Sequence, residues 1–143
     1  MRFAELLSIL QASVSPVILI SGVGLLILSI TNRFGRVVDR SRQMGAALRE
    51  APETEQARME SQLHILFRRA RLLRAAVAFA VVSVLMAALL VIALFLAAFL
   101  RVEVVTLGAV LFVACLVSLI VSLLYFLQDL NVSLVALKVE LGF

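Results

Sequence analysis

Among its 143 residues the chain has one cysteine, one histidine, one tyrosine, two prolines and no tryptophan. With no second thiol for Cys115, an internal disulfide and a cysteine-based metal site are both excluded. His64 has no cysteine or second histidine nearby in sequence, which argues against metal ligation or acid–base chemistry there. Also missing are a glycine-rich phosphate loop, an acidic pair within an apolar stretch, and a nucleophile with a base in a recognisable pattern. The sequence therefore predicts no enzyme and no cofactor, apart from calcium as a candidate permeant or bound ion. An inverted repeat is absent too, which argues against a transporter. Charge is sparse at 15%, whereas 64% of residues are hydrophobic and the mean hydropathy is +1.15. A soluble core of this length cannot hide that much apolar surface, so the chain reads as an integral membrane protein.

Three apolar stretches, 13–31, 75–100 and 104–127, reach or exceed the roughly 20 residues that a membrane-spanning helix needs. The predicted fold class is all-α, a single membrane domain over 1–143 with three transmembrane helices. A helical hairpin over 32–74 extends the first two spans, and a helix follows the third over 128–143. Ten of the thirteen basic residues lie between Arg33 and Arg74. Adding Lys138 puts eleven on one side of the membrane, against Arg2 and Arg101 on the other. The positive-inside rule then places the N-terminus outside and the hairpin and C-terminus in the cytoplasm. The stretch after Arg2 is a span and not a signal peptide, because it runs on to Ile30 and ends in TNRFGRVVDRSR with no small-residue cleavage site. A sequence pI near 10.6 would suggest nucleic acid in a soluble protein. Beside apolar spans, the arginines point instead to anionic membrane lipid, with no nucleic-acid partner.

Within the hairpin, Pro52 stops one helix, and Glu53 and Glu55 suit the start of the next. Phe34, Val37, Val38, Met44 and Leu48 form one apolar stripe; Met59, Leu63, Leu66, Phe67, Ala70 and Leu73 form the other. Two such stripes bury each other in an antiparallel pair. Asp39, among Arg36, Arg40 and Arg42, suits an ion pair, and Asp129 is positioned to meet an arginine of the hairpin. After the third span, Leu130, Leu134, Leu137 and Leu141 form a seam, suited either to lying against the membrane or hairpin or to docking a cytoplasmic partner.

Alternate steps of three and four from Glu5 give Glu5, Ser8, Ala12, Ser15, Leu19, Gly22, Leu26, Ser29, Arg33, Arg36 and Arg40, all on one helical stripe. From Glu5 to Arg33 is about 42 Å of helix, enough to put the acid and the first arginine at opposite membrane surfaces. An acid at one mouth, an apolar section and a basic exit is the order a pore-lining helix needs. One copy encloses no lumen, so this reading requires a cyclic homo-oligomer with Glu5 as the selectivity position. Crowded carboxylates favour a hard divalent cation between them, and calcium is the candidate ion. Three arginines facing an axis would alternatively favour anions. The small residues of the stripe equally suit close helix packing in a non-conducting structural or partner-binding protein. Pro16 is expected to bend the helix or start it afresh.

The segments SVSPVILISGVGLLILSITNRFGRVVDRSR and LFRRARLLRAAVAFAVVSVLMAALL, with a third span ending in YFLQDL, resemble a family of small bacterial membrane proteins known as a domain of unknown function. That resemblance implies three membrane helices in a bacterial inner membrane. The order Glu5, then Leu19, Gly22 and Leu26, then Arg33, Arg36 and Arg40 is similar to that along the pore helix of Orai-type calcium-release-activated calcium channels. Those channels have four spans and a pore helix running in the opposite direction. The likeness implies a CRAC-like cation channel lined by the first span.

Overall fold

No proline interrupts the chain between an apolar stretch and the end of the segment that continues it, and in the computed structural model, which describes residues 2–142, the three spans are the middle, the end and the start of longer helices. The order is α1 (Phe3–Glu50), α2 (Glu53–Leu100) and α3 (Val105–Leu141). All three are long and apolar enough to cross a bilayer, the architecture of a multi-pass membrane protein. Met1 and Phe143, the ends of the expected domain, lie outside the described residues, as do the side chains of Val139 and Glu140.

Helix ends follow the expected chemistry. α1 and α2 are separated only by Ala51 and Pro52, and the Gln56 side-chain amide donates to the Ala51 carbonyl at 3.3 Å. Glu53 and Glu55 lie in the first turn of α2 and Arg49 in the last turn of α1, each matched in sign to the helix dipole. At the far end of α2, the Val102 N–H donates to the Ala97 carbonyl at 3.0 Å, with Arg101 at φ 55°. This is a Schellman closure with arginine where glycine is usual, a conformation that costs a side-chain-bearing residue about 1–2 kcal/mol.

Two expectations are refined. Pro16 lies inside α1, which continues through it, so the helix does not start afresh there. The ring removes the N–H that would reach the Ala12 carbonyl and crowds that carbonyl, but this does not end a helix of 48 residues. Likewise, 128–142 is no separate helix: α3 passes Asp129 without a break and reaches Leu141, because nothing between Gln128 and Leu141 is a glycine or a proline.

The chain folds as two compact units, to each of which all three helices contribute. In the first, residues 2–27 and 78–121, the buried positions are Ser13, Pro16 and Val23 of α1, Ala80, Ser83, Ala87 and Leu90 of α2, and Cys115 and Ser118 of α3. Small residues dominate, and they let α2 and α3 approach closely. The Ser118 hydroxyl donates to the Phe79 carbonyl at 2.6 Å and that of Ser83 to the Cys115 carbonyl at 3.0 Å. The Cys115 thiol donates to the Ser83 carbonyl at 3.2 Å. Cys115 thus has a packing and hydrogen-bonding role.

In the second unit, residues 28–77 and 122–142, Ile30, Val37, Leu66, Leu73 and Ala76 are buried with Ser122 and Asp129. Val37, Leu66 and Leu73 come from the two apolar stripes of the hairpin, whose remaining members are half-buried except Phe67, which is 56% exposed. Phe67 follows Leu66, about 100° further around the helix, and so falls outside the packed face.

Candidate functional site

Spacing on α3 decides where its one described acidic side chain points. Cys115, Ser118, Ser122 and Asp129 are separated by three, four and seven residues, which puts all four on a single helix face. In the second unit that face meets α2 through the Ser122 hydroxyl, which donates to the Ala76 carbonyl at 2.6 Å. Seven residues along α3 from Ser122 is Asp129, and seven residues back along the antiparallel α2 from Ala76 is Arg69. The register therefore delivers the carboxylate to the guanidinium. Arg69 Nε donates to Asp129 Oδ1 at 3.2 Å, and Arg33 Nε, from α1, donates to Oδ2 at 2.7 Å.

The result is a three-helix clamp centred on one carboxylate. Asp129 is 0% exposed, while the side chains of Arg33 and Arg69 retain 29% and 17%. A buried charge of this kind is tolerated only when paired and hydrogen-bonded, and both oxygens of Asp129 are occupied. The Arg33 guanidinium also lies 5.9 Å from the centre of the Phe126 ring, one turn from Asp129, a further favourable contact for the cation.

A half-open groove of about 830 Å³ adjoins the clamp. Its lining includes Arg33 and Arg40 of α1, Arg58 and Arg69 of α2, and the neutral donors Ser61, Gln62 and Ser133. The apolar side is supplied by Met44, Ile65, Leu66, Leu130, Leu134 and Leu137. Arg40 and Arg58 are exposed and make no ion pair among the described residues. Four guanidinium groups against the single carboxylate of Asp129 give the described side chains here a formal charge of +3.

The predicted pore stripe is distributed differently. In the first unit Glu5, Ser8, Ala12, Ser15 and Gly22 are exposed, and Leu19 and Leu26 are half-exposed. Glu5 accepts only a 3.4 Å bond from the backbone N–H of Arg2. A Cβ added at Gly22 or Gly24 would meet nothing within 4 Å, so neither glycine serves a close approach within the protomer. In the second unit Ser29 and Arg36 are exposed, Arg33 is drawn into the clamp and Arg40 lines the groove. Ala12, Ser15, Gly22, Ser29 and Arg36 each precede by one residue the buried Ser13, Pro16, Val23, Ile30 and Val37. At about 100° per residue, the stripe borders the protomer's own packing face. Among the described residues no group of three or more His, Cys, Asp or Glu side chains could hold a metal ion, so one protomer offers a calcium ion a single carboxylate at Glu5.

Asp39 is exposed and forms no ion pair with Arg36, Arg40 or Arg42, each of which is held on the same short stretch of helix with its side chain free to extend into water. Asp129 does pair with a hairpin arginine, as its position predicts. Its complete burial, the participation of Arg69, and the groove at Arg58 were not foreseen. The signal was present in the spacing of Ser118, Ser122 and Asp129, since small hydroxyl residues at three- and four-residue steps in an apolar helix mark a packed face.

A family profile described as "Protein of unknown function (DUF2721)" matches residues 13–139. The chain belongs to the DUF2721 family. All three clamp residues and the whole lining of the groove fall within the DUF2721 match, whereas Glu5, Ser8 and Ala12 precede it. No curated protein and no solved structure matches this DUF2721 chain, and the Orai-type likeness therefore rests on residue order alone.

Proposed function

We propose that the chain assembles in a bacterial inner membrane as a cyclic homo-oligomer that passes cations, with calcium the candidate ion, along a conduit lined by α1. The observation that carries this reading is the exposure of the α1 stripe. A helix in lipid gains nothing by turning Ser8, Ser15, Gly22 and Ser29 away from its own protomer unless something other than hydrocarbon meets them. Copies related by a symmetry axis would supply that partner and gather the Glu5 carboxylates into a ring. The clamp bears on the sign of the permeant ion. Pairing with Asp129 takes Arg33 out of the basic exit and Arg40 lines the groove, which leaves Arg36 as the exposed arginine of the exit and favours cations over the anion pathway. On this reading the N-terminus is outside and the arginine-rich hairpin cytoplasmic.

Purified protein in liposomes provides the test, with calcium, monovalent-cation and chloride flux measured side by side. Cation flux is expected from the unaltered chain, and Glu5→Gln should reduce it by at least about tenfold, the scale on which a charged mouth concentrates its ion. Absence of flux sinks the proposal, and chloride flux replaces it with the anion pathway.

A second reading is favoured by the groove beside the clamp: a non-conducting membrane protein that binds a partner or ligand through the hairpin and the end of α3. Leu130, Leu134 and Leu137 line that groove and remain exposed in the protomer.

A further inference from the structure

The groove of the second unit has a composition that neither a bare lipid-facing surface nor a water-filled crevice would need. Its lining holds four arginines, of which Arg40 and Arg58 have no carboxylate partner among the described residues. α1 and α2 also supply Met44, Ile65 and Leu66, and α3 contributes Leu130, Leu134 and Leu137, which lie on one face at steps of four and three. Its volume, about 830 Å³, lies within the range of small-molecule sites. It begins where the apolar stretches of α1 and α3 give way to charge, at Arg33 and Asp129.

We propose that this groove binds an anionic phospholipid, its phosphate held by Arg40 and Arg58 and the adjoining acyl carbons laid along Leu130, Leu134 and Leu137. Charge selects the ligand class. A net charge of +3 repels cations and is complementary to a phosphodiester, and guanidinium groups match phosphate oxygens in pairs. The leucine wall selects the source. A free phosphate or a phosphorylated metabolite has no use for three exposed leucines, whereas a lipid carries its own hydrocarbon to cover them. The clamp has a preparatory role here. By pairing with Arg33 and Arg69, Asp129 holds both side chains in place and leaves Arg40 and Arg58 to grip the ligand.

The experiment is native mass spectrometry of the full chain in detergent, titrated with phosphatidylglycerol or phosphatidylcholine. The unaltered protein is expected to retain phosphatidylglycerol preferentially. Arg40→Gln combined with Arg58→Gln should weaken that retention by about thirtyfold, toward the phosphatidylcholine level. Both side chains are exposed and unpaired, so the helical signal should not change. The control pair Arg42→Gln with Arg71→Gln removes the same charge from exposed positions outside the groove and is expected to leave retention unaltered. Leu134→Gln should weaken phosphatidylglycerol, and soluble glycerol phosphate should fail to displace it. Equal loss in the control pair would reduce the effect to general attraction between charges. Competition by glycerol phosphate would make the ligand a soluble anion. Unchanged retention in the groove variant would remove the site altogether, and each of these results overturns the proposal.

Discussion

Replacing both Arg33 and Arg69 by glutamine is expected to lower the stability of the fold by about 3–5 kcal/mol, the scale for leaving a buried charge without its partners. The prediction follows from unequal exposure within the clamp. Asp129 is wholly buried and has nowhere to find water once both guanidinium groups are gone, so its carboxylate must stay unpaired or take up a proton. Each arginine, by contrast, keeps an exposed edge. Asp129→Asn should therefore be milder than the double arginine variant, because the freed guanidinium groups can turn toward solvent. Either arginine variant alone should be milder still, since the remaining Nε still holds one carboxylate oxygen. Adding Asp129→Leu to the double variant should recover much of the loss, as apolar replacements of buried ionic triads commonly do. Thermal unfolding of detergent-solubilised protein, followed by helical circular dichroism, gives the ranking. Equal midpoints for all of these variants would show that the clamp does not hold the helices together.

A second large effect is expected at Ala80. This residue is wholly buried on the face of α2 that meets α3, between the Phe79 carbonyl that accepts from Ser118 and the Ser83 hydroxyl that donates to Cys115. Three added carbons in Ala80→Leu have no space to enter, and they would part the helices enough to break both hydrogen bonds. Overpacking of this kind costs about 1–3 kcal/mol, and the lost bonds to buried carbonyls add about 1 kcal/mol each. Val81, the next residue, is half-exposed, and Val81→Leu should be silent in the same unfolding measurement. A similar loss in both variants would contradict the close approach of α2 and α3.

Those two sites also mark what a sequence of this kind reveals. The three apolar stretches were legible because a bilayer-length run of hydrophobic residues has few other uses, and Pro52 identified the one break in the hairpin. Helix continuity was legible in α1 and α2, where the hairpin extends the first two spans, and less so in α3. Hydropathy falls after Leu127, but a helix is ended by glycine, proline or a cap, and α3 meets none of these before Gly142. Asp129 was visible as a partner for an arginine, yet its burial was obscured because a charged residue just past a span ordinarily faces water. The heptad relation to Ser122 outweighs that expectation. Arg69 and Arg58 drew no notice among ten clustered basic residues, since charge alone does not separate a clamp or a groove from a positive-inside flank. The α1 stripe was legible in its order. What it faces depends on neighbours that a single chain does not contain.

The most direct test of the conduit is a disulfide scan of α1 in native membranes. In a Cys115→Ser background, which keeps a hydroxyl donor beside Ser83, single cysteines would be placed at Ser8, Ser15 and Ser29 of the stripe. Comparison cysteines would replace Leu10, Val17 and Thr31, all exposed and each two residues further on, about 200° around the helix. The account predicts oxidative cross-links between protomers at the three stripe positions and none at the comparison positions. Cross-linking only at Leu10, Val17 and Thr31, or at no position, would contradict it.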